Sequence, residues 1–301
     1  MDWIAWLWIL ACVVILIKTY MDARIKKVGF CMLLKSDFPT QFIWDKYLSR
    51  NPDCAIVIHG KKDLVIDQKC TELLKRAVII DNPLETSWGS LNIVKAQNMC
   101  IRKLLEQNVD RIFTVSGNCI PLRSEKELLE RTKAHESIFT EFNVPDRLES
   151  VKQSVSSVCS IRKDAFKLHS QWCVLTKEHA KILVSKENEY SRCFENTGSA
   201  VSDETLYLTM LREKKQSNIK IIHCLQGNDN DIHGTTFSHW KNVSYKFKTD
   251  KDSDIPDNSP KMYKDISMDE MNHLKNGEYL FARKFSDDTM IEGSRLCDFL
   301  K

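Results

Sequence analysis

Beyond residue 27 the chain alternates short, uninterrupted apolar runs with longer segments whose apolar positions recur at helical spacing. Val28 to Leu34, Cys54 to His59, Ala77 to Ile80 and Arg111 to Val115 have the length and composition of strands buried on both faces. Between them, Thr40 to Arg50 and Ser90 to Gln107 read as amphipathic helices. This order predicts an α/β fold with a βαβ-type sheet, in which ligands bind beyond the C-terminal ends of the strands. His59-Gly60 and Ser116-Gly117-Asn118 fall at two of those ends and are expected to line the ligand pocket. Ser124 with Glu127, and Ser267 with Glu270, have capping-box spacing and predict two further helices, the second ending near Gly277. Thr249 to Pro260 is polar, rich in aspartate and broken by Pro256 and Pro260, which predicts an exposed loop.

The N-terminus follows a different pattern. Trp3 to Ile17 carries no charge and no polar face. Its length, roughly 22 Å as a helix at about 1.5 Å per residue, falls short of a bilayer core of about 30 Å. Lys18 can close that gap by snorkelling, and Thr19 to Met21 can extend the span. A cleaved signal peptide is the rival reading, but no basic segment precedes the run and no small-residue cleavage site follows it. Residues 1–27 are therefore expected to form a transmembrane signal-anchor with a short stem, and residues 28–301 one folded domain.

Composition narrows the function by exclusion. Hydrophobic residues at 43% and charged residues at 28% are ordinary for a globular enzyme. A net charge of +3 without a basic stripe argues against a nucleic-acid partner. The eleven cysteines include no CxxC pair and no zinc-type spacing, so structural zinc is not expected. Cys31, Cys54, Cys159 and Cys224 lie in apolar runs that read as strands, where a small buried hydrophobe is the default.

Five short motifs then occur in a definite order: Ser87-Trp88-Gly89-Ser90-Leu91, Ser116-Gly117-Asn118-Cys119-Ile120-Pro121-Leu122, Ser170-Gln171-Trp172, Ser202-Asp203-Glu204, and Leu280-Phe281-Ala282-Arg283-Lys284-Phe285. The last sets two adjacent cations in an apolar run, where at least one is expected to be half-buried and in need of an anion. The series resembles the core-2/I-branching N-acetylglucosaminyltransferase family over roughly residues 28 to 286, with Cys-Ile-Pro-Leu most like its plant-type branch. The resemblance implies a variant of the nucleotide-sugar transferase fold called GT-A. It also implies inverting transfer from a UDP-sugar to a hydroxyl of a glycan or glycoprotein. N-acetylglucosamine is the first expectation for the sugar, UDP-xylose or another donor the alternative, and an inactive glycan-binding relative the reading from a different class.

Carried onto this chain, the resemblance makes Glu204 the general base, with Asp203 beside it. A purely local reading stays open, in which Ser202 caps a helix and the two acids favour its dipole. Thr205 stands where the family often has histidine, and Cys119 where many members have aspartate. No carboxylate follows Arg111 to Val115, where most GT-A enzymes hold a metal, so no cofactor beyond the donor is expected. Lys284 instead matches the family lysine that contacts the diphosphate, Lys261 is the expected second cation, and Arg283 can share the work. A metal-dependent rival would use Asp229-Asn230-Asp231, while Asp250, Asp252 and Asp254 fall in the polar loop. Gln171 and Trp172 are expected at the substrate cleft, Trp172 being the best of three stacking candidates with Trp88 and Trp240. His59 is expected near the nucleotide, with a structural role equally open.

Two lines conflict on topology. The family resemblance implies a Golgi lumenal domain, whereas Lys18, Arg24, Lys26 and Lys27 all follow the apolar run and the positive-inside rule would keep the body in the cytosol. The lumen is the expectation, and Asn242-Val243-Ser244 is a sequon that only lumenal machinery reads.

Overall fold

The computed structural model describes residues 3, 6–10, 12–13, 27–35, 37–132, 135–195, 201–223, 234–241, 246–247, 253–256 and 259–299. The first half forms β1 (Val28–Leu33), α1 (Gln41–Arg50), β2 (Ala55–His59), α2 (Thr71–Arg76), β3 (Ala77–Ile79), α3 (Leu91–Glu106) and β4 (Arg111–Ser116). Next come β5 (Ile120–Pro121), α4 (Glu125–Arg131), β6 (Ser137–Phe142), α5 (Pro145–Ser156), β7 (Leu168–His169), β8 (Val174–Thr176), α6 (Lys177–Ser185) and α7 (Glu187–Phe194). The remainder is α8 (Leu206–Glu213), β9 (Ile219–His223), β10 (Thr236–Ser238), β11 (Asp265–Ile266), α9 (Met268–Asn276), β12 (Phe281–Arg283), β13 (Met290–Ile291), β14 (Ser294–Arg295) and α10 (Leu296–Phe299).

The predicted βαβ half is present: β3, β2, β1 and β4 are neighbours in that order and all parallel. Because the strands are covered on both faces, their runs are apolar almost without interruption. Alternate residues feed separate cores. Phe30 and Met32 pack with Trp44, Leu48, Ile56 and Phe113 on one face, while Cys31 packs with Val57, Ile101 and Leu104 on the other. Beyond β4 the sheet changes character. β8 is antiparallel to β4, β6 antiparallel to β8, and β9 parallel to β6. Two reversals make β6 parallel to β4 again, so its C-terminal end opens on the same sheet edge as those of β1, β2 and β4. A smaller sheet, β10-β12-β5, sits with a third apolar cluster that includes Ile120, Phe237, Tyr263, Tyr279 and Phe285.

Both capping signals correspond to helix starts. Ser124 and Glu127 make the reciprocal pair of bonds at α4, and the Ser267 hydroxyl accepts from the Glu270 amide at 3.1 Å at α9, which ends at Gly277. The Thr40 hydroxyl ahead of α1 donates elsewhere, to the Gly117 carbonyl at 2.7 Å. The amides of Phe42 and Ile43 are instead accepted by the Asp287 carboxylate, 3.0 and 3.1 Å away, which ties the C-terminal segment to the first helix.

Some expectations are corrected. Cys159 lies in the turn after α5, not in a strand, and forms a disulfide with Cys193 of α7 at a Cα–Cα separation of 5.5 Å. Ser202-Asp203-Glu204 does not begin the helix. It forms its own 3-10 turn, separated from α8 by Thr205, and neither turn nor helix carries a side-chain cap. At the N-terminus, Trp3, Trp6 to Leu10, Cys12 and Val13 are helical and exposed. Among the described residues no helix is long and apolar enough to cross a membrane. Most of the expected anchor, Cys224, the Asp229 to Asp231 motif, Asp250, Asp252 and the Asn242 sequon lie outside the described residues.

Candidate active site

One cavity of about 250 Å³ gathers most of the candidate residues. Asp203 and Glu204, Gln171 and Trp172, and Arg283 and Lys284 line it, together with Trp88, Trp240, Thr140 and Ser238. Thr140 and Phe142 place it at the C-terminal end of β6. His59 and Ser116-Gly117-Asn118 lie on the same sheet edge, but contrary to expectation contribute nothing to the wall of this cavity. Nor does Lys261, whose ammonium lies 5.0 Å from the centre of the Tyr263 ring and borders a neighbouring groove.

The motifs are brought together in pairs by backbone bonds. Ser202 donates its amide to the Gly89 carbonyl at 3.2 Å, joining the Trp88 loop to the Asp203-Glu204 turn. Gly89 has φ +72°, a left-handed conformation that favours glycine there. The Cys-Ile-Pro-Leu segment pairs with the cation segment: Ile120 and Pro121 face Ala282 and Phe281, and Phe285 donates to the Asn118 carbonyl at 2.9 Å. Cys119 is fully buried there, its carbonyl accepting from the Trp44 indole at 2.8 Å. Ser170 to Trp172 lies between the two assemblies. Its Gln171 carbonyl accepts from Thr114 at 2.9 Å, and its Trp172 carbonyl from Thr235 at 3.0 Å. The buried His169 ring bonds the Ser170 carbonyl at 2.8 Å and the Leu208 amide at 3.3 Å, fixing this loop to α8. Burial pushes His169 down to about 4, so it is neutral near pH 7, with Nε2 accepting.

The two sides of the cavity differ in charge. Glu204 is ion-paired with Arg147 of α5, a residue that sequence reasoning missed because nothing local in Pro145 to Ser156 marks it. Asp203 is buried, and this, aided by the Glu204 charge, raises its carboxyl to about 7. In the same wall, Arg283 and Lys284 are both half-buried, as the apolar flanks predict. The Arg283 guanidinium lies 4.7 Å from the centre of the Trp172 ring, so the expected stacking residue already carries a protein cation on one face. Lys284 donates to the Ser259 hydroxyl at 2.6 Å, and its ammonium is pushed down by burial, then by the charges of Arg283 and Lys35. Burial lowers Arg283 as well. Among the described residues neither cation has a carboxylate ion-pair partner. Among the described residues, Thr140 Oγ1, Asp203 Oδ1 and Arg283 Nε are buried in the cavity wall without a hydrogen-bond partner, the condition expected where a ligand supplies the missing bonds.

His59 serves locally instead. Its buried Nε2 accepts the Leu84 amide at 2.9 Å, and burial lowers its pKa, which keeps the ring an acceptor.

Residues 28–275 match the model of the Core-2/I-branching enzyme family. The chain belongs to that family. Its resemblance in motif order thus has an independent counterpart covering most of the chain. A relative in Oryza sativa subsp. japonica, Glycosyltransferase BC10, is 19% identical over 167 residues, which cover 54% of this chain and 41% of the relative. The match therefore spans less than half of that relative's length. A crystal structure of 4-diphosphocytidyl-2C-methyl-D-erythritol synthase aligns over 76% of this chain and 96% of its own at 13% identity, with a TM-score of 0.38, too low to carry a fold assignment.

Proposed function

We propose that this chain is an inverting glycosyltransferase with a GT-A-like fold, moving a sugar from a UDP-sugar to a hydroxyl of a glycan or glycoprotein. The observation that carries the reading is that the Asp203-Glu204 pair, Arg283 and Lys284 line one and the same cavity. Glu204 takes the proton from the acceptor hydroxyl as that oxygen attacks the anomeric carbon. The bond from that carbon to the diphosphate oxygen breaks, and its electron pair leaves with UDP. The charge gained by the diphosphate falls where Lys284 and Arg283 lie, so two fixed cations do the work a metal does in other enzymes. Gln171 and Thr140 are placed to bond sugar hydroxyls. The cavity is small beside ligand pockets of about 300–1,000 Å³, so it suits sugar and diphosphate, with the nucleoside lying towards the ends of β1 and β2.

N-acetylglucosamine is the first donor to try, with UDP-xylose second. Full-length protein in detergent, offered a panel of nucleotide sugars, is expected to hydrolyse or transfer from one UDP-sugar in EDTA. Strict manganese dependence lost in Asp229→Ala would replace this mechanism with the metal-dependent one.

We place the body in the lumen of the Golgi or another secretory compartment, held by an N-terminal membrane anchor. The exposed apolar helix residues support the anchor, and the Cys159–Cys193 disulfide supports an oxidising compartment. A reporter sequon inserted beside Asp254 is expected to be glycosylated in microsomes. An unmodified reporter, with the body digested by external protease, would put it in the cytosol.

A further inference from the structure

Trp88 is 82% exposed, a costly setting for the largest apolar side chain, and yet it lines the cavity. Its loop is not slack. Leu84 is held by His59, the Asn92 amide donates to the Glu85 carbonyl at 2.9 Å, Ser87 and Ser90 bond each other, and Gly89 is bonded to Ser202. The ring is therefore presented to water on a fastened support, whereas Trp172 is buried and carries Arg283. Trp88 adjoins Gly89, and Glu204 is two residues from Ser202, so the Trp88 loop is fastened to the carboxylate turn.

We propose that Trp88 is the stacking platform for the acceptor, taking the apolar face of a pyranose ring and presenting its hydroxyl to Glu204. This rests on the glycosyltransferase reading above. A pyranoside is amphipathic in the way the site is: its C–H face suits an indole, and its hydroxyl edge suits Gln171, Asp203 and Glu204. Rigid aromatic area orders a ligand at little conformational cost to the protein, and orientation is what a base-assisted attack needs. The platform would thus set acceptor preference, while Arg283 and Lys284 set the hold on the donor diphosphate.

The test uses the full chain with Trp88→Ala and Trp88→Phe. Methyl β-galactopyranoside, methyl β-xylopyranoside and lactose serve as probes of indole fluorescence, and acceptor and donor KM are read by transfer. At least one probe is expected to change the wild-type fluorescence, with the response lost in Trp88→Ala. The acceptor KM should rise roughly tenfold in that variant, more than the donor KM, and Trp88→Phe should recover most of it. An unaltered acceptor KM or an equal sugar response in Trp88→Ala overturns the proposal. So does a blue shift on phosphatidylcholine vesicles with no response to any sugar, which would make Trp88 a membrane wedge. If the wild type transfers from no nucleotide sugar, the glycosyltransferase reading fails, and the fluorescence arm still decides whether Trp88 binds sugar.

Discussion

The two sides of the cavity are built on opposite principles. On the carboxylate side the Glu204 charge is compensated within the protein: Glu204 is paired with Arg147, and its turn is bonded to the Trp88 loop. On the cation side the direct contacts among the described residues are neutral, a serine hydroxyl for Lys284 and an indole face for Arg283, with the Glu204 charge acting on Arg283 only from beyond ion-pair distance. Two adjacent half-buried cations repel each other, and both are pushed towards their neutral forms, so a bound anion stabilises them. An ion-paired carboxylate has no such need. The comparison separates the roles: the compensated side is built to act on a group brought to it, and the uncompensated side is built to hold a negatively charged one.

Three substitutions probe this division. The largest effect is expected from Glu204→Gln, which keeps the shape of the side chain but cannot take a proton. Turnover should fall by about a hundredfold or more, with UDP affinity kept. Near-normal transfer would remove Glu204 from the role and leave Asp203 as the acid to examine. Lys284→Ala comes next. It removes a charge-assisted contact worth about 1.5–3 kcal/mol, so calorimetry should show UDP binding weakened roughly tenfold to a hundredfold. Unchanged UDP affinity would mean that the cation side does not hold the diphosphate, and the distinction between the two sides would collapse.

How much of this was legible in the chain depended on the range of the signal. β1, β2 and β4 announce themselves because strands buried on both faces must be apolar throughout. β7 and β8 span only Leu168–His169 and Val174–Thr176, too short for any period, so the antiparallel half stayed hidden. The five motifs named side chains that the fold brings together, since Asp203, Glu204, Gln171, Trp172, Arg283 and Lys284 meet in one cavity. Partners were another matter. Arg147 finds Glu204 across 57 positions, and Cys159 finds Cys193 across 34, and neither pairing leaves a local trace. Which tryptophan faces water was equally illegible, because exposure depends on what the fold lays over a ring. Trp172 is covered by Arg283 and Trp88 is left open. His59 lies on the expected sheet edge, and its ring there accepts a loop amide, in keeping with the structural role left open for it.

The smallest and most discriminating effect is on stability, at Asp203. Its carboxyl is raised from 3.8 to about 7, first by burial and then by the Glu204 charge, and its Oδ1 has no hydrogen-bond partner among the described residues. In the unfolded chain the group loses its proton near 4, whereas in the folded protein it keeps the proton until about 7. Between these values the folded state binds more protons, so its stability falls as pH rises, and above the upper value the full cost of a buried carboxylate is borne. At about 1.4 kcal/mol per pKa unit the ceiling is roughly 4 kcal/mol, and about 2 is a reasonable expectation for a group that lines a cavity. Asp203→Asn keeps the shape and abolishes the titration. Its melting temperature should exceed that of the wild type by several degrees at pH 8 and match it near pH 4. Equal melting curves at pH 8 would show that the cavity solvates the carboxylate and that its burial costs nothing. If the gain is found together with weaker acceptor binding, then Asp203 is retained at a cost in stability for the hydroxyl it receives, which is the pattern expected of a residue kept for binding rather than for the fold.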